Sequence, residues 1–213
     1  MQLQERIAEL KKERNAVLLA HNYQLPEVQD IADFVGDSLG LAKQASMTDA
    51  DVIVFCGVDF MAESAKILNP QKIVLHPETK ACCPMAAMCD PTGIRMLKKD
   101  FPRADVVAYV NTSAECKAEA DVRCTSSNAV KVVNSLESDL IIFLPDENLA
   151  SYVQRFTDKS ILPWPGHCPT HESITLEKIE KLKKEHPQAQ VLVHPECRPE
   201  VIDVADGVRS TEG

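Results

Sequence analysis

The stretch IRMLKKDFPRADVVAYVN, from Ile94 to Asn111, is the middle one of three similar segments that decide the fold. The other two are IAELKKERNAVLLAHNY, from Ile7 to Tyr23, and IEKLKKEHPQAQVLVHPE, from Ile179 to Glu196. Each segment predicts an amphipathic helix that ends in Leu-Lys-Lys, then a break, then a short apolar strand. The leucines of the three Leu-Lys-Lys motifs are Leu10, Leu97 and Leu182, so the chain repeats at an almost constant interval.

Strands alternate with helices along the whole chain, which is typical of the α/β class with parallel sheets and crossover helices. The repeat is too long for a solenoid, so we interpret each copy as a small α/β unit. The predicted units are residues 1–83, residues 84–168 and an incomplete third copy at residues 169–213. The third copy has the helix and the first strand, and it lacks counterparts of the later strands.

Polar residues stand at the end of the same strand in each repeat. The pairs are His21 and Tyr23, Tyr109 and Asn111, and His194 and Glu196. Parallel sheets bind ligands beyond the carboxyl ends of their strands, so these pairs are candidate substrate-binding and catalytic residues. A hydroxyl residue follows each pair at a nearly constant distance along the chain: Ser38, Ser126, and Ser210 with Thr211 beside it. These hydroxyls could cap helices, bind phosphate, or do both.

Two of the eight cysteines, Cys83 and Cys168, are also related by the repeat. The interval between them equals that between Leu97 and Leu182, and each stands directly before a proline, after a short apolar run. We interpret them as two ligands of one metal centre. Cys82 is the alternative to Cys83, and the shared Cys-Pro sequence favours Cys83. The remaining cysteines have no counterpart in the repeat and are interpreted as structural: Cys56, Cys89, Cys116, Cys124 and Cys197.

The spacing of the cysteines indicates the kind of metal centre. Structural zinc sites usually take closely spaced pairs such as C-x2-C, and the sequence has none. One cysteine from each of three repeats would instead suit a 4Fe–4S cluster with one open iron, which acts as a Lewis acid. By extrapolation of the repeat, we expect the third cysteine ligand beyond residue 213, about 40 residues after Gly213.

Composition excludes several other classes of protein. The net charge of −9 argues against general nucleic-acid binding, which favours basic surfaces. The chain opens with no signal-peptide pattern and has no apolar run near the ~20 residues of a membrane span. We therefore expect a cytoplasmic protein that acts without a membrane.

The motifs, in their order along the chain, resemble those of quinolinate synthases, the iron–sulfur enzymes of de novo NAD synthesis. They are AHNYQ (20–24), GDS (36–38), CPMA (83–86), YVN (109–111), TSSNA (125–129), GHCPTH (166–171), HPEC (194–197) and Ser210-Thr211. The resemblance covers the whole chain. It implies a pseudo-threefold repeat of three-layer α/β/α domains, with the third incomplete here and a 4Fe–4S cluster at their junction.

The resemblance also implies an activity and a set of site residues. The reaction would condense iminoaspartate with dihydroxyacetone phosphate to quinolinate, with loss of phosphate and water. An L-aspartate oxidase or dehydrogenase would supply the iminoaspartate. The implied catalytic residues are Glu196, Tyr23, His194 and Tyr109. The implied substrate-binding residues are His21, Ser38, Tyr109, Asn111, Ser126, His171, His194, Glu196, Ser210 and Thr211, and the cluster ligands are Cys83 and Cys168.

Two departures and two alternatives accompany this interpretation. The chain ends before the third cluster cysteine of the family, and Val208-Arg209 precedes Ser210 where the family usually has a glycine. One alternative is another open-iron hydro-lyase that acts on a hydroxy acid. The other is a zinc-stabilised binding module without catalytic activity, which metal analysis would distinguish.

Overall fold

The computed structural model describes residues 3–211, and the chain divides into two compact units, Met1–Cys83 and Pro84–Gly213. Each unit contains a four-stranded sheet in which every strand pair is parallel. The second unit also contains a two-stranded parallel sheet. The predicted α/β class with parallel sheets is confirmed. The division of the second unit at residue 168 stays a prediction.

The first unit has the strand order β2-β1-β3-β4. Its strands are β1 (Ala16–His21), β2 (Phe34–Gly36), β3 (Val52–Cys56) and β4 (Ile73–Leu75), and its helices are α1 (Leu3–Glu13), α2 (Pro26–Gln29), α3 (Ser38–Met47) and α4 (Asp59–Leu68). The central strand β1 is apolar and buried along most of its length, as expected for a parallel strand covered on both faces.

The second unit repeats this arrangement with the strand order β6-β5-β7-β8, followed by the pair β10-β9. Its strands are β5 (Asp105–Tyr109), β6 (Val122–Cys124), β7 (Leu140–Leu144), β8 (Ser160–Pro163), β9 (Leu192–Val193) and β10 (Gly207–Val208). Its helices are α5 (Pro91–Asp100), α6 (Ala114–Glu119), α7 (Ala129–Ser135), α8 (Glu147–Gln154), α9 (Pro169–Glu172), α10 (Leu176–Glu185) and α11 (Pro199–Asp203), with a 3-10 turn at Ala86–Met88.

Trp164 closes one side of the core between α5 and the central strands of the second unit. It is buried together with Val106, Ile142 and other apolar side chains of that core. Its indole Nε1 donates a hydrogen bond to the carbonyl oxygen of Met88, at 2.8 Å. A β-carbon at Gly93 would lie 2.5 Å from the indole ring, so the glycine lets the helix pack directly against the tryptophan.

The first two strands of each repeat pair with the same stagger. Leu19 faces Phe34, Val107 faces Val122, and Leu192 faces Gly207, so the offset along the chain is identical in the three copies. The strand ends His21, Tyr109 and His194 are therefore equivalent positions. Counted from them, the counterpart of Ser38 and Ser126 in the third copy is Thr211, and Ser210 lies one position earlier.

An aspartate and a lysine fix this stagger in each copy, and we call the pair the register clasp. The aspartate carboxylate accepts the backbone N–H of Leu18, Val106 or Val191, at 2.7, 2.9 and 2.7 Å. The first lysine of each Leu-Lys-Lys motif pairs with that carboxylate. The three clasps are Lys11–Asp33, Lys98–Asp121 and Lys183–Asp206.

Three short strands, β2, β6 and β10, are absent from the sequence prediction. Residues 26–46 are predicted to be an interrupted helix, and β2 lies inside that range. Residues 115–122 are predicted to be helical, and β6 begins at Val122. The clasp explains the difference, because it draws these residues alongside the first strand.

Within residues 3–211, no helix is long and apolar enough to cross a membrane.

Candidate metal and substrate site

In the second unit, several of the predicted site residues come together beyond the carboxyl ends of the strands. Tyr109 ends β5, Cys168 follows β8, and His194 and Glu196 follow β9. His171 lies in α9, the short helix that begins directly after Cys168. β5 and β8 belong to one parallel sheet and β9 to another, and the contacts around Glu196 bring these strand ends together.

The carboxylate of Glu196 is the centre of this group and is only 3% exposed. Its Oε2 lies 2.8 Å from Nδ1 of His171. Tyr109 lies close enough to Glu196 for each side chain to shift the pKa of the other. Burial raises the pKa of Glu196, but the neighbouring histidines and Tyr109 outweigh it, so the pKa lies below its usual value. Burial and then Glu196 raise the pKa of Tyr109 well above its usual value.

The rings of His171 and His194 are stacked, with centroids 4.7 Å apart and planes 18° apart. Burial lowers the pKa of His194, and Glu196 offsets this only in part. Burial also opposes the charge on His171, but Cys168 and Glu196 outweigh it and raise the pKa to about 10. The two histidines therefore differ, and Glu196 Oε2 lies 2.8 Å from Nδ1 of His171 but 3.9 Å from Nδ1 of His194.

Three potential metal ligands lie close together in this group. The Cys168 sulfur, a ring nitrogen of His171 and a carboxylate oxygen of Glu196 are all within 4.8 Å of one another. Among the described residues, the buried His171 Nδ1 has no aligned hydrogen-bond partner. The Glu196 oxygen near it gives a close ionic contact with poor hydrogen-bond direction. A thiolate, an imidazole and a carboxylate with unused bonding capacity form a donor set that can hold a metal.

Asp146 supports the cysteine loop and was not identified from the sequence. Its side chain is fully buried. One oxygen accepts the N–H of Leu149 at 2.6 Å and caps α8, and the other accepts the N–H of Cys168 at 3.1 Å. Burial, followed by Glu196, raises the pKa of Asp146 to about 7. An aspartate between an apolar strand and a helix is an N-cap signal, but that signal does not indicate a bond to a distant cysteine.

Glu172 connects the short helix α9 to the elements on either side. Its carboxylate accepts hydrogen bonds from Asn148 Nδ2, at 3.1 Å, and from Arg198 Nε, at 2.7 Å. Asn148 belongs to α8, and Arg198 lies shortly after Glu196. These contacts hold His171 beside the Glu196 turn. The sequence carries no separate signal for them.

In the first unit, His21 and Tyr23 lie beyond the end of β1 and contact each other. His21 is buried, Tyr23 is 75% exposed, and their ring centroids are 4.8 Å apart. The Tyr23 N–H is 3.2 Å from Nδ1 of His21, and the Glu196 N–H is 3.3 Å from Nδ1 of His194. The first and third repeats thus form the same turn. Ser38 is the first residue of α3, and its neighbour Asp37 is the N-cap.

The two cysteine loops have the same backbone anchor. The Asp59 N–H donates to the carbonyl oxygen of Ala81, at 2.9 Å, and the Glu147 N–H donates to that of Gly166, at 2.7 Å. Each donor is the first residue of a helix, α4 or α8. Cys83 and Cys168 stand at the same distance after the two acceptors, so these two cysteines occupy equivalent positions. Cys82 is exposed and Cys83 is half-buried.

Asn111, Ser210 and Thr211 are the remaining predicted site residues. Asn111 and Ser210 are half-buried and Thr211 is exposed. In the described part of the chain, the hydrogen bonds and ring contacts around Glu196 do not include them.

Comparison with known proteins identifies the family. The family model described as Quinolinate synthetase A protein matches residues 5–213. The quinolinate synthase of Methanosarcina barkeri is 61% identical over 212 residues, and that of Pyrococcus furiosus is 59% identical over 214 residues. A quinolinate synthase of Dehalococcoides mccartyi is 59% identical over 209 residues.

These alignments include nearly all of the present chain but only part of each relative. They cover 100%, 100% and 98% of this chain, and 70%, 71% and 69% of the three relatives. The match runs through both compact units and includes all the predicted site residues. The chain therefore belongs to the quinolinate synthase family, whose members are enzymes of NAD biosynthesis.

Proposed function

We propose that this chain contributes to the condensation of iminoaspartate with dihydroxyacetone phosphate, which gives quinolinate with loss of phosphate and water. The observation that carries the proposal is the buried carboxylate of Glu196, which contacts His171 and Tyr109 beside Cys168. Cyclisation and dehydration both require protons to be moved, and carboxylate, imidazole and phenol groups are suited to that task. Family membership supports the same reaction.

The proposed cofactor is a 4Fe–4S cluster with Cys83 and Cys168 as two of its ligands. The third cysteine is expected beyond residue 213. The residues of the second unit fit such a group, because Cys168 offers a thiolate and the buried His171 Nδ1 lacks an aligned partner among the described residues. When bound, a cluster with three protein ligands supplies an open iron that acts as a Lewis acid on substrate oxygen atoms.

The structural repeat supports Cys83, and not Cys82, as the ligand in the first unit. The position equivalent to Cys168, counted from the anchored carbonyl oxygen, is Cys83. Cys82 lies one residue before the position that matches Cys168. This argument is independent of the Cys-Pro sequence, which favours the same residue.

We assign proton transfer to Glu196, with Tyr109, His194 and Tyr23 as the other catalytic candidates. A carboxylate can take and return a proton, and the Tyr109 hydroxyl that contacts it can relay one. The hydroxyl residues Ser38, Ser126, Ser210 and Thr211, together with His21, Asn111 and His171, are assigned to substrate binding. The matching strand stagger favours Thr211 as the counterpart of Ser38 and Ser126.

The proposed setting of the reaction follows from its substrates. Iminoaspartate would be supplied by an L-aspartate oxidase or dehydrogenase, and the proposed location is the cytoplasm. Neither nucleic acid nor a membrane is part of the proposal.

Metal analysis of the complete protein, purified without oxygen, tests the cofactor. We expect iron, sulfide and visible absorbance in the wild type, and their loss in Cys83→Ser and Cys168→Ser. Cys82→Ser and Cys197→Ser are the matched controls and should retain most of the absorbance. Zinc in a colourless sample would favour a binding module. Loss of colour in Cys82→Ser but not in Cys83→Ser would show that the ligand assignment is wrong by one residue.

Product analysis tests the reaction itself. Quinolinate should form from iminoaspartate and dihydroxyacetone phosphate in the complete protein that carries the cluster. Dehydration of a hydroxy acid without quinolinate formation would instead support the hydro-lyase alternative.

A further inference from the structure

We propose that Asp146 is a positioning residue that fixes the direction of the Cys168 thiolate. The inference rests on the proposed role of Cys168 as a cluster ligand. Both carboxylate oxygens are already engaged by backbone N–H groups, one of them that of Cys168. Asp146 therefore acts through the cysteine and not on the substrate.

The loop around Asp146 is held by closely spaced backbone contacts. Asp146 and Gly166 form an isolated parallel β-bridge. The next residue, Glu147, donates its N–H to the Gly166 carbonyl oxygen at 2.7 Å. A β-carbon at Gly166 would lie 2.5 Å from the Pro145 carbonyl oxygen. The strand and the cysteine loop therefore meet so closely that the carboxylate reaches Cys168 across the bridge.

Helix capping alone does not explain why this aspartate is buried. Asp90 caps α5 by accepting the Gly93 N–H at 2.9 Å, and it remains exposed. Asp146 caps α8 in the same way, yet it is fully buried. A buried carboxylate is costly unless its oxygens are hydrogen-bonded. The second bond, to Cys168, is the feature that distinguishes the two caps.

The bond can direct the sulfur because it acts on the cysteine backbone. Cys168 is the residue before α9, with φ −79° and ψ 113°. Holding its N–H restricts rotation about φ, and the β-carbon that carries the sulfur moves with that backbone. Groups that orient metal ligands from the second shell typically affect metal affinity by about 10- to 100-fold. We expect Asp146 to act within that range.

Asp146→Asn and Asp146→Ser, made in the complete protein, separate the two roles of this residue. Asparagine and serine are both good N-caps, so α8 should be retained. Asparagine has a single oxygen for the two N–H groups, and serine is too short to reach Cys168. Asp90→Asn is the matched control, because it changes an aspartate cap in the same unit that has no bond to a cysteine.

The first readout is the rate at which iron passes from the loaded protein to a coloured chelator. We expect the rate to rise about 10-fold or more in both Asp146 variants and to stay unchanged in Asp90→Asn. The second readout is hydrogen exchange of the peptide over residues 164–172, which needs no iron. This peptide should exchange faster in the Asp146 variants only.

The outcomes separate this inference from the proposed function. A wild-type protein without iron would overturn the proposed function and, with it, the ligand role. Iron-loaded wild type with unchanged iron release in the Asp146 variants would overturn only the inference. The same holds if Asp90→Asn released iron as fast as the Asp146 variants, because the effect would then come from helix stability.

Discussion

The two cysteine loops share a backbone and differ in the side chains that support it. Each loop is anchored by the first N–H of the helix that precedes it in the chain, that of Asp59 or Glu147. The residue before that donor is Val58 in the first unit and Asp146 in the second. A valine side chain has no acceptor, whereas the aspartate binds both the helix and the cysteine loop. Equivalent cysteines can therefore be held by different means.

The strand-end turns show the same contrast. The turn of His21 and Tyr23 and the turn of His194 and Glu196 have matching N–H to Nδ1 contacts. Tyr23 is 75% exposed, whereas Glu196 is 3% exposed and surrounded by polar partners. The repeat thus specifies the backbone of each turn. The side chains that surround the turn, such as His171 and Tyr109 around Glu196, determine whether it can carry a buried charge.

The largest expected effect comes from Glu196→Gln, which removes the charge from the buried turn. Glutamine has nearly the same shape but cannot take and return a proton. Loss of one general acid–base group typically costs about 10²–10⁴-fold in rate. We expect the complete enzyme to retain its iron and to bind substrate but to lose turnover by at least that factor, as measured by quinolinate formation.

Glu185→Gln is the control for this prediction, since Glu185 is an exposed glutamate at the end of α10. It should leave turnover unchanged. Near-normal turnover in Glu196→Gln with the cluster intact would mean that Glu196 only shapes the pocket. The proton-transfer role would then pass to Tyr23 or His194.

The next effect concerns Gly166, where the two cysteine loops differ in packing. An alanine β-carbon there would lie 2.5 Å from the Pro145 carbonyl oxygen, and the backbone cannot yield without opening the loop. Overpacking of this kind typically costs about 1–3 kcal/mol. We expect Gly166→Ala to lower the free energy of unfolding by that amount, measured by chemical denaturation.

Ala81 in the first unit is equivalent to Gly166, and the opposite substitution, Ala81→Gly, can be made there. It removes a β-carbon instead of adding one, and the greater freedom that a glycine gives the unfolded chain costs about 0.4–1 kcal/mol. If the two substitutions cost the same, the second loop would be no more tightly packed than the first.

A smaller and opposite effect is expected from Val58→Asp, which gives the first cysteine loop the cap of the second. Val58 precedes α4 with extended backbone dihedral angles, which suit an N-cap residue. A capping side chain typically contributes about 1 kcal/mol, so we expect the free energy of unfolding to rise by up to that amount. Val58→Leu is the control without an acceptor. A midpoint of thermal unfolding below that of Val58→Leu would contradict the prediction.

The smallest effect concerns the register clasp, which recurs in all three copies. The Val191 N–H, followed by Lys183, lowers the pKa of Asp206 below its ordinary value of 3.8. Because the pKa is lower in the folded state than in the unfolded state, the ionised aspartate stabilises the fold at pH values above 3.8. This contribution is lost as the pH falls through 3.8 toward the lower folded value.

Asp206→Asn should therefore lower the thermal midpoint slightly at neutral pH, and the gap from the wild type should narrow in acid. Thermal unfolding at a series of pH values measures the gap. Asp158→Asn, at an exposed aspartate between α8 and β8, should show no such narrowing. A gap independent of pH would show that the charge of Asp206 does not fix the stagger.

The sequence predicted the longer repeated features and missed the shortest repeated strands. The parallel strands, the polar strand ends and the Cys83–Cys168 match follow from regular spacing. The strands β2, β6 and β10 are very short, too short for apolar periodicity to be detected. They form because the clasp aspartates hold them beside the first strand, and those aspartates recur at a regular interval that could have been recognised.

The surroundings of Glu196 were only partly predictable. Its position at a strand end was clear from the repeat, and so was the presence of His194 beside it. The roles of Asp146 and Glu172 depend on contacts with Cys168 and Arg198, which are distant along the chain. Such contacts arise from packing and leave no local pattern. The full burial of Asp146 could not be inferred from an aspartate that also reads as an ordinary helix cap.

Trp164, the single tryptophan of the chain, makes the second cysteine loop optically distinguishable from the rest of the molecule. Its indole is buried and donates a hydrogen bond to the Met88 carbonyl oxygen, and Trp164 is close to Cys168 along the chain. Intrinsic fluorescence excited at the indole band therefore originates beside the proposed ligand. A dark, strongly absorbing group bound there would quench the emission, and loss of the group would restore it. The loading state of the loop can thus be followed in the unlabelled protein.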